Sequence, residues 1–297
     1  MNRRDFIKTS SVAAAATLLP WSCHSAGHAP KFKLGYQLFS IRDEMEKDPI
    51  ATLKALKAMG YQDFETYGFD VATNTIYGFE PTDLKDILAE MELTVSSGHY
   101  DFNSLMEKSD HELQNYVAAS IEAAKTINNS YITWPFIAEQ YRNKEGYELL
   151  VNRLNLIGAQ VNEAGLGFAF HNHGYEFADL GGTTGYELIA EGTDPQQVKF
   201  QMDMYWVMHQ GLTTPKELVE KYPGRYVMWH IKDMHKVSRD YTELGNGSID
   251  YHSVLPDPEK SGLQYFYIEQ GGNYTVSSME SAKASASYFK NELQQYL

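Results

Sequence analysis

The sequence is poor in cysteine, in net positive charge and in long apolar runs. Its one cysteine in 297 residues excludes a disulfide within the chain. The net charge of −14 repels phosphate backbones, so we expect no nucleic-acid partner. No apolar run reaches the roughly 18 residues that a membrane-spanning helix needs. A content of 43% hydrophobic and 13% aromatic residues is nevertheless enough for a globular core.

The first 30 residues differ from the rest and predict an export signal. Arg3 and Arg4 are followed by Phe6 and Lys8, and an Ala-rich apolar stretch covers 12–19. This pattern resembles a twin-arginine (Tat) signal, whose route carries folded proteins and therefore favours a protein that takes up a metal before export. A basic amphipathic helix is the alternative, but the Ala-rich centre has no polar face.

Cys23 follows the apolar stretch directly, in the segment Leu-Pro-Trp-Ser-Cys. The segment is similar to a bacterial lipobox, in which the cysteine would carry a lipid anchor, although Pro20 stands where an aliphatic residue is usual. Cleavage after Ala26 or Ala29 would instead discard Cys23 with the signal. We therefore assign 1–30 to the signal, expect a periplasmic location, and leave the soluble and lipid-anchored forms open.

The rest of the chain alternates short apolar strands with amphipathic helices. The eight candidate strands are 32–37, 63–67, 93–97, 130–134, 167–171, 198–203, 226–230 and 264–269. Helical periodicity and start signals indicate helices at 50–59, 105–127, 146–164, 276–296 and after Thr214-Pro215. Eight such repeats predict one (β/α)₈ TIM barrel, an α/β fold, over 31–297. An open doubly wound sheet is the alternative, but no Gly-rich phosphate turn follows the first strand.

Four of these strands end on side chains that can bind a metal, namely His171, Asp203, His230 and Glu269. Because the strands of a parallel barrel present their C-terminal ends at one face, we expect the four to converge around one divalent ion. Mixed nitrogen and oxygen ligands suit Mn²⁺, Zn²⁺, Co²⁺ or Fe²⁺ better than Ca²⁺. A hydrogen-bonded histidine pair and a helix N-cap at Asp203 are the structural alternatives.

Candidate acids and bases lie near the same strand ends. The set consists of His173, His99, Lys232 and Glu176. Since side chains alternate along a strand, His171 and His173 are expected to point towards the barrel axis together. The alternatives are a surface position for His99 and an ion pair between Lys232 and Asp233 or Glu269.

Four further residues are predicted to bind substrate. Gln37 and Glu65 end the first and second strands, and Trp134 and Trp206 lie where a sugar ring would find an apolar platform. Packing at the top of the barrel is the alternative role of the two tryptophans.

From about Phe32 onwards the chain resembles the xylose isomerase-like barrel superfamily, often labelled sugar phosphate isomerase/epimerase. The matching motifs are LGYQLFSIR (34–42), FHNHGYEF (170–177), Met202-Asp203, HIKD (230–233), ELGNGSID (243–250) and Ile268-Glu269. The resemblance implies a divalent ion, often Mn²⁺, at the same four positions named above. Ketose epimerases of this superfamily usually have Glu in place of His171. His171 departs from this pattern, so the symmetric pair of carboxylates is missing, which disfavours proton exchange between two faces and leaves chemistry with one base open.

The resemblance also implies the removal of a proton beside a ketone. An exported enzyme seldom meets sugar phosphates, and the acidic surface repels them, so a neutral keto-sugar is the expected substrate. Exported members of the superfamily, to which the chain is similar, include lyases of 3-keto-glycosides. In these, loss of the C2 proton drives elimination of the C1 group and gives 2-hydroxy-3-ketoglucal. We therefore predict a metal-dependent carbon–oxygen lyase.

Three alternatives to the lyase stay open. A sugar isomerase or epimerase would work through the same enediolate, and a sugar-binding lipoprotein on the same barrel would have no catalytic activity. A metal-dependent phosphodiesterase fits less well, because such sites carry more metal ligands and a basic surface. An oligomer is compatible with each of them.

Overall fold

Eight short parallel strands close into a barrel in the computed structural model, which describes residues 31–297. They are β1 (Gly35–Gln37), β2 (Asp63–Thr66), β3 (Thr94–His99), β4 (Tyr131–Trp134), β5 (Gly167–His171), β6 (Lys199–Asp203), β7 (Tyr226–Ile231) and β8 (Tyr265–Ile268). Each strand pairs with its neighbours in sequence, and β1 pairs with β8 to close the ring. The predicted TIM barrel is confirmed. The predicted signal at 1–30, with Cys23, lies outside the described residues.

Helices surround the barrel. They are α1 (Arg42–Met45), α2 (Pro49–Met59), α3 (Pro81–Glu90), α4 (Asp110–Thr126), α5 (Lys144–Glu163), α6 (Gly185–Gly192), α7 (Met204–Gln210), α8 (Pro215–Lys221), α9 (Tyr251–Val254), α10 (Pro258–Ser261) and α11 (Ser278–Tyr288). Among the described residues, no helix is long and apolar enough to cross a membrane.

Capping side chains decide where several of these helices begin. Asp48 accepts a hydrogen bond from the backbone N–H of Ala51 ahead of α2. Ser109 and Glu112 form a capping box at α4, which therefore begins later than the periodicity of 105–127 predicts. The predicted closing helix at 276–296 is α-helical only to Tyr288. It continues as a π-helix over Phe289–Leu293 and a 3₁₀-helix over Gln294–Tyr296.

The loop after β7 is organised around the carboxylate of Asp233. Backbone N–H groups of Gly245, Gly247 and Ile249 donate to this carboxylate at 2.9, 3.0 and 3.2 Å. A Cβ atom at position 247 would lie 1.9 Å from Asp233 Oδ1, so the motif requires glycine there. Two short antiparallel strands, Asp233–Met234 and Tyr241–Thr242, connect this loop to the barrel. The motif at 243–250 therefore supports the top of β7.

Candidate metal centre

The C-terminal ends of β5 to β8 bring His171, Asp203, His230 and Glu269 together. One ligand-competent atom of each side chain lies within 4.8 Å of the other three, and all four residues are buried. His171 Nε2 is 3.2 Å from both His230 Nδ1 and Asp203 Oδ2. Glu269 Oε2 is in direct contact with His230 Nδ1. The structure thus gathers the four side chains that the sequence predicts as a metal-binding set.

A buried lysine lies between the two carboxylates of this cluster. Lys232 Nζ is 2.6 Å from Asp203 Oδ2 and 2.9 Å from Glu269 Oε2. Burial alone would raise the pKa of Asp203, but the ammonium and His171 lower that pKa to about 2. The same ammonium and His230 hold the pKa of Glu269 well below its ordinary value against the effect of burial. Both carboxylates are therefore ionised at neutral pH, as metal ligands must be.

Glu65 forms a polar hub directly beneath the cluster. It is fully buried, and five side-chain nitrogen or oxygen atoms lie close to its carboxylate: Gln37 Nε2 (2.6 Å), Ser97 Oγ (2.7 Å), Gln201 Nε2 (2.6 Å), His230 Nε2 (2.6 Å) and His99 Nε2 (3.0 Å). Because His230 Nε2 donates to Glu65, the other ring nitrogen, Nδ1, faces the cluster. Such carboxylate–histidine contacts orient the imidazole ligands of metal sites.

The two imidazoles of the cluster differ in their protonation. Burial alone would lower the pKa of His230, but the carboxylates of Glu269 and Glu65 raise it to about 9. Burial lowers the pKa of His171 to about 4, so this ring is neutral. His171 Nδ1 lies 3.0 Å from the carbonyl oxygen of Pro135, and this contact directs Nε2 into the cluster.

The donor set fits a divalent cation. Asp203 Oδ2 and Glu269 Oε2 are buried, and nitrogen atoms of the centre surround them. Lys232 Nζ approaches both oxygens, His171 Nε2 lies 3.2 Å from Asp203 Oδ2, and His230 Nδ1 contacts Glu269 Oε2. Asp203 Oδ1, in contrast, caps α7 through the backbone N–H of Trp206 at 3.3 Å. Two inward imidazole nitrogens and two buried carboxylate oxygens are the ligands that Mn²⁺, Fe²⁺, Co²⁺ and Zn²⁺ accept. Binding of a cation would release the proton that His230 Nδ1 shares with Glu269.

A cavity of about 340 Å³ opens onto the cluster. Its walls are formed by Phe39, Tyr67, Gly68, Phe69, His99, Asp101, Tyr116, Pro135, Phe136, His171, His173 and Glu269. The cavity therefore joins two of the predicted metal ligands to two of the predicted acid–base residues. Its volume lies in the range of small-molecule binding sites.

His173 lines this cavity and has one ring nitrogen without a hydrogen-bond partner. Its ring centroid is 4.9 Å from that of His171, and both residues contribute to the cavity wall. Its Nδ1 has no hydrogen-bond partner among the described residues. Burial holds the pKa of His173 well below its ordinary value, so the ring is neutral at pH 7. A neutral imidazole with a free nitrogen is able to accept a proton.

Of the other predicted acid–base residues, His99 lines the cavity and Glu176 does not. Glu176 is fully buried outside the cavity wall, and its Oε2 accepts a hydrogen bond from the backbone N–H of His173 at 2.8 Å. Burial raises the pKa of this carboxyl to about 8. His99 is the last residue of β3 rather than following it. Its Nε2 lies 2.8 Å from Gln201 Oε1 and its Nδ1 lies 3.3 Å from Gln37 Nε2, so both ring nitrogens are engaged.

None of the four predicted substrate-binding residues lines the cavity. Gln37 and Glu65 are fully buried below the cluster and bind each other, so they position the histidines instead. Trp134 points outwards and packs against Phe102, because strand alternation turns its neighbour Thr133 into the barrel. Trp206 lies beside the site, with its ring centroid 5.4 Å from that of His173.

Two residues that the sequence reasoning did not select complete the centre. Gln201 links His99 to Glu65, and Asn172 holds the end of β6 by accepting a hydrogen bond from the backbone N–H of Asp203 at 3.0 Å. Gln201 lies two positions before Asp203, so strand alternation alone places it on the same face. That signal was present in the sequence.

Comparisons with known proteins agree with this architecture. The model of the family described as "Xylose isomerase-like TIM barrel" matches residues 53–291. A second model, for the TAT (twin-arginine translocation) pathway signal sequence, matches residues 1–20 and indicates export across the cytoplasmic membrane. A curated relative, inosose dehydratase of Clostridium botulinum, is 25% identical over 164 residues, which are 49% of this chain and 53% of that protein. The chain thus matches about half the length of this relative.

Solved structures share the fold over nearly the whole described chain. A sugar phosphate isomerase/epimerase from Parabacteroides distasonis has a TM-score of 0.79 at 23% identity and covers 91% of this chain and 97% of its own. A zinc-containing structure of the IolI protein has a TM-score of 0.71 at 17% identity, with coverages of 90% and 99%. An L-ribulose 3-epimerase has a TM-score of 0.68 at 14% identity, with coverages of 89% and 95%.

Proposed function

The chain belongs to the xylose isomerase-like TIM barrel family, and from that premise we propose that residues 31–297 form a metal-dependent lyase of 3-keto-glycosides. The enzyme removes the proton at C2, beside the C3 ketone, and the group at C1 leaves to give 2-hydroxy-3-ketoglucal. One observation carries the proposal. Two imidazoles and two carboxylates meet at the floor of a cavity that His173, with one unpartnered ring nitrogen, also lines.

A divalent ion held by His171, Asp203, His230 and Glu269 would polarise the ketone oxygen and stabilise the negative charge that develops there. We expect Mn²⁺, with Zn²⁺, Co²⁺ or Fe²⁺ as alternatives. The zinc atom in the similar structure of IolI supports a divalent ion on this type of barrel.

We assign the proton transfers to His173. Its neutral imidazole accepts the C2 proton, and the electron pair of that C–H bond moves onto the ketone as an enolate. When the ketone re-forms, a C1=C2 double bond is made and the C1–O bond breaks. The protonated His173 then returns its proton to the departing oxygen. One residue therefore serves as base and acid, which agrees with the absence of a second glutamate at position 171.

Other residues of the centre position the reacting groups. Lys232 keeps the two carboxylates apart and ionised, since its ammonium lies between them. Glu176 fixes the backbone of His173, and Glu65 fixes the ring of His230. His99 lines the cavity, but its engaged nitrogens make it a wall of the sugar site rather than a proton carrier.

Location and charge support a neutral substrate. The Tat signal indicates export, and we propose the periplasm as the site of action, while a lipid anchor at Cys23 stays a prediction. The net charge of −14 disfavours sugar phosphates. The relative named inosose dehydratase carries the name of an elimination reaction, which favours a lyase over an isomerase.

Product analysis tests the proposal directly. The Mn²⁺-loaded protein is incubated with a 3-keto-glucoside, and we expect release of the aglycone together with 2-hydroxy-3-ketoglucal. Recovery of an intact glycoside with a changed stereocentre would instead identify an epimerase.

A sugar isomerase or epimerase is the second candidate function. The names of two similar structures, a sugar phosphate isomerase/epimerase and an L-ribulose 3-epimerase, favour it. A protein that only binds sugars is tested in D₂O, since no deuterium would then enter any keto-sugar at C2.

A further inference from the structure

The cavity changes character between its buried floor and its exposed rim. Near the floor, imidazoles and Glu269 face the space. Farther out the wall consists mainly of aromatic rings, which we call the aromatic vestibule: Phe39, Tyr67, Phe69, Tyr116 and Phe136. Among the cavity-lining residues other than the histidines and Glu269, Asp101 is the one charged side chain. The floor can therefore bind polar groups, whereas the outer wall can bind mainly apolar ones.

Phe39 is an exposed aromatic residue held in a fixed position. It is 40% exposed, and no other phenylalanine among residues 31–297 is exposed to that degree. The Arg42 guanidinium lies 4.3 Å from the ring centroid and donates to the carbonyl oxygens of Phe39 (3.0 Å) and Gly271 (3.3 Å). Tyr67 packs edge-on against Phe39, with ring centroids 5.3 Å apart. The ring is therefore exposed and also preorganised, as expected for a ligand contact.

The core supports two further rings of the vestibule. Phe69 packs edge-on against the buried Tyr100 at 5.5 Å, and Tyr116 packs against the buried Phe102 at 5.6 Å. These contacts fix the rings without a ligand. A flat apolar group would therefore enter a slot whose walls are already ordered.

We propose that the aromatic vestibule binds the aglycone and selects flat, apolar aglycones, so that the substrates are aryl 3-keto-glycosides rather than keto-disaccharides. This inference rests on the proposed function, because it assigns the sugar to the polar floor of the same site. A second sugar would find only the hydroxyl groups of Tyr67 and Tyr116 and the carboxylate of Asp101 as polar side-chain partners in this wall, and each sugar hydroxyl left facing aromatic carbon is costly. An aryl group would instead bury apolar surface against several rings.

A comparison of two ligands tests the inference through binding alone. Phenyl β-D-glucoside and methyl β-D-glucoside are titrated calorimetrically into the Mn²⁺-loaded protein, and cellobiose serves as the disaccharide. We expect the phenyl glucoside to bind about tenfold or more tightly than the other two. Turnover of the phenyl and methyl 3-keto-glucosides is compared in parallel and is expected to show the same preference.

Variants at Phe39 test whether the preference for the phenyl glucoside comes from the aromatic vestibule. Phe39→Ala should lower the ratio of phenyl to methyl affinity about fivefold or more, and Phe39→Leu should restore only part of it. Tyr296→Ala is the matched control, because Tyr296 is also an exposed aromatic residue (47%) but lies outside the cavity wall. Circular dichroism establishes that each variant folds.

The binding and turnover results test different claims. The proposal that the vestibule binds an aryl aglycone would be rejected by any of four binding results: equal affinity for the phenyl and methyl glucosides, preference for cellobiose, no binding of any glucoside, or an unchanged phenyl-to-methyl ratio in Phe39→Ala. If neither keto-glucoside is cleaved, the proposed lyase activity is rejected. A preference for the phenyl glucoside that Phe39→Ala removes would still establish that the vestibule binds aryl groups.

Discussion

His230 shows how a single residue is prepared for its role by its neighbours. One ring nitrogen donates to Glu65 and the other faces Glu269 and His171. Without Glu65, the imidazole would be free to rotate and to change tautomer, and the cluster would lose its geometry. The geometry of the centre therefore depends on a carboxylate that touches neither the cavity nor the proposed ion.

Loss of either a histidine or a carboxylate of the cluster should abolish metal binding. We expect purified His171→Ala and Glu269→Ala to contain less than about a tenth of the wild-type metal, because each loses a direct ligand. Elemental analysis measures this content. His252→Ala and Glu280→Ala, which change exposed residues of the same types, are the controls. Unchanged metal in both ligand variants would reject the proposed set.

Glu65→Gln should weaken the centre without removing a ligand. Glutamine keeps the shape but loses the charge that fixes His230, so metal affinity is expected to fall roughly 10- to 100-fold. Competition with a fluorescent chelator measures the affinity. Glu243→Gln, at a carboxylate that binds the backbone N–H of Thr275 away from the cluster, should change it little. Equal affinities for Glu65→Gln and wild type would remove Glu65 from the centre.

The burial of Asp63 should make the free energy of unfolding depend on pH. It is 3% exposed at the opposite end of the barrel, and burial raises its pKa to about 6. Between about pH 4 and 6, folded Asp63 keeps a proton that the unfolded chain has released. Its contribution is therefore fully present at low pH and is lost as the pH rises, by on the order of 2–3 kcal/mol.

Asp63→Asn cannot ionise and should escape this loss. The difference in unfolding free energy between Asp63→Asn and wild type is expected to grow in favour of the variant from pH 4 to pH 7. Urea denaturation at several pH values measures it. A difference that stays constant over this range would contradict the raised pKa.

At the scale of elements, the sequence predicted the strands and the residues at their ends well. The apolar runs are long enough to mark eight strands, and a parallel barrel sends all their C-terminal ends to one face. The position of each inward side chain along the barrel axis is harder to predict. Strand alternation shows which face of the strand a side chain occupies, but it does not show whether that side chain reaches the cavity or lies in the layer beneath it. Strand ends therefore predict cavity positions for Gln37 and Glu65, which are fully buried and do not line the cavity.

Trp134 illustrates a second limit of the same kind. A shift of one residue along a strand reverses the direction of every side chain, and the sequence alone did not show whether Thr133 or Trp134 points inwards. The aromatic vestibule was missed because its residues come from separate loops and elements with no shared spacing. Only the closed fold brings them together.

The capping box of α4 gives a prediction for an element. Ser109→Ala removes the side-chain acceptor of the Glu112 N–H and should destabilise the protein by about 1 kcal/mol. Ser104→Ala is the matched control, since Ser104 is exposed in the preceding turn and should shift stability by less than about 0.5 kcal/mol. Urea denaturation measures both variants, and equal stabilities would show that the box contributes nothing.

At the scale of the whole molecule, the negative charge should discriminate between ligands. With a net charge of −14, binding of a sugar phosphate is opposed by long-range repulsion, which salt screens. We expect its affinity to rise between about 20 and about 200 mM NaCl, while that of the neutral parent sugar stays constant. Calorimetry with the two ligands measures this, and a phosphate that binds more tightly at low salt would refute the expectation.

Gln37 joins the two ends of the proposed site. Its Oε1 accepts the backbone N–H of Phe39 at the rim, and its Nε2 donates to Glu65 beneath the cluster. A single amide thus links the proposed aglycone contact to the proposed metal centre. A substitution that moves Phe39 to admit a new leaving group would also move Gln37 and, through it, Glu65. Changes in specificity at the rim are therefore expected to alter turnover as well.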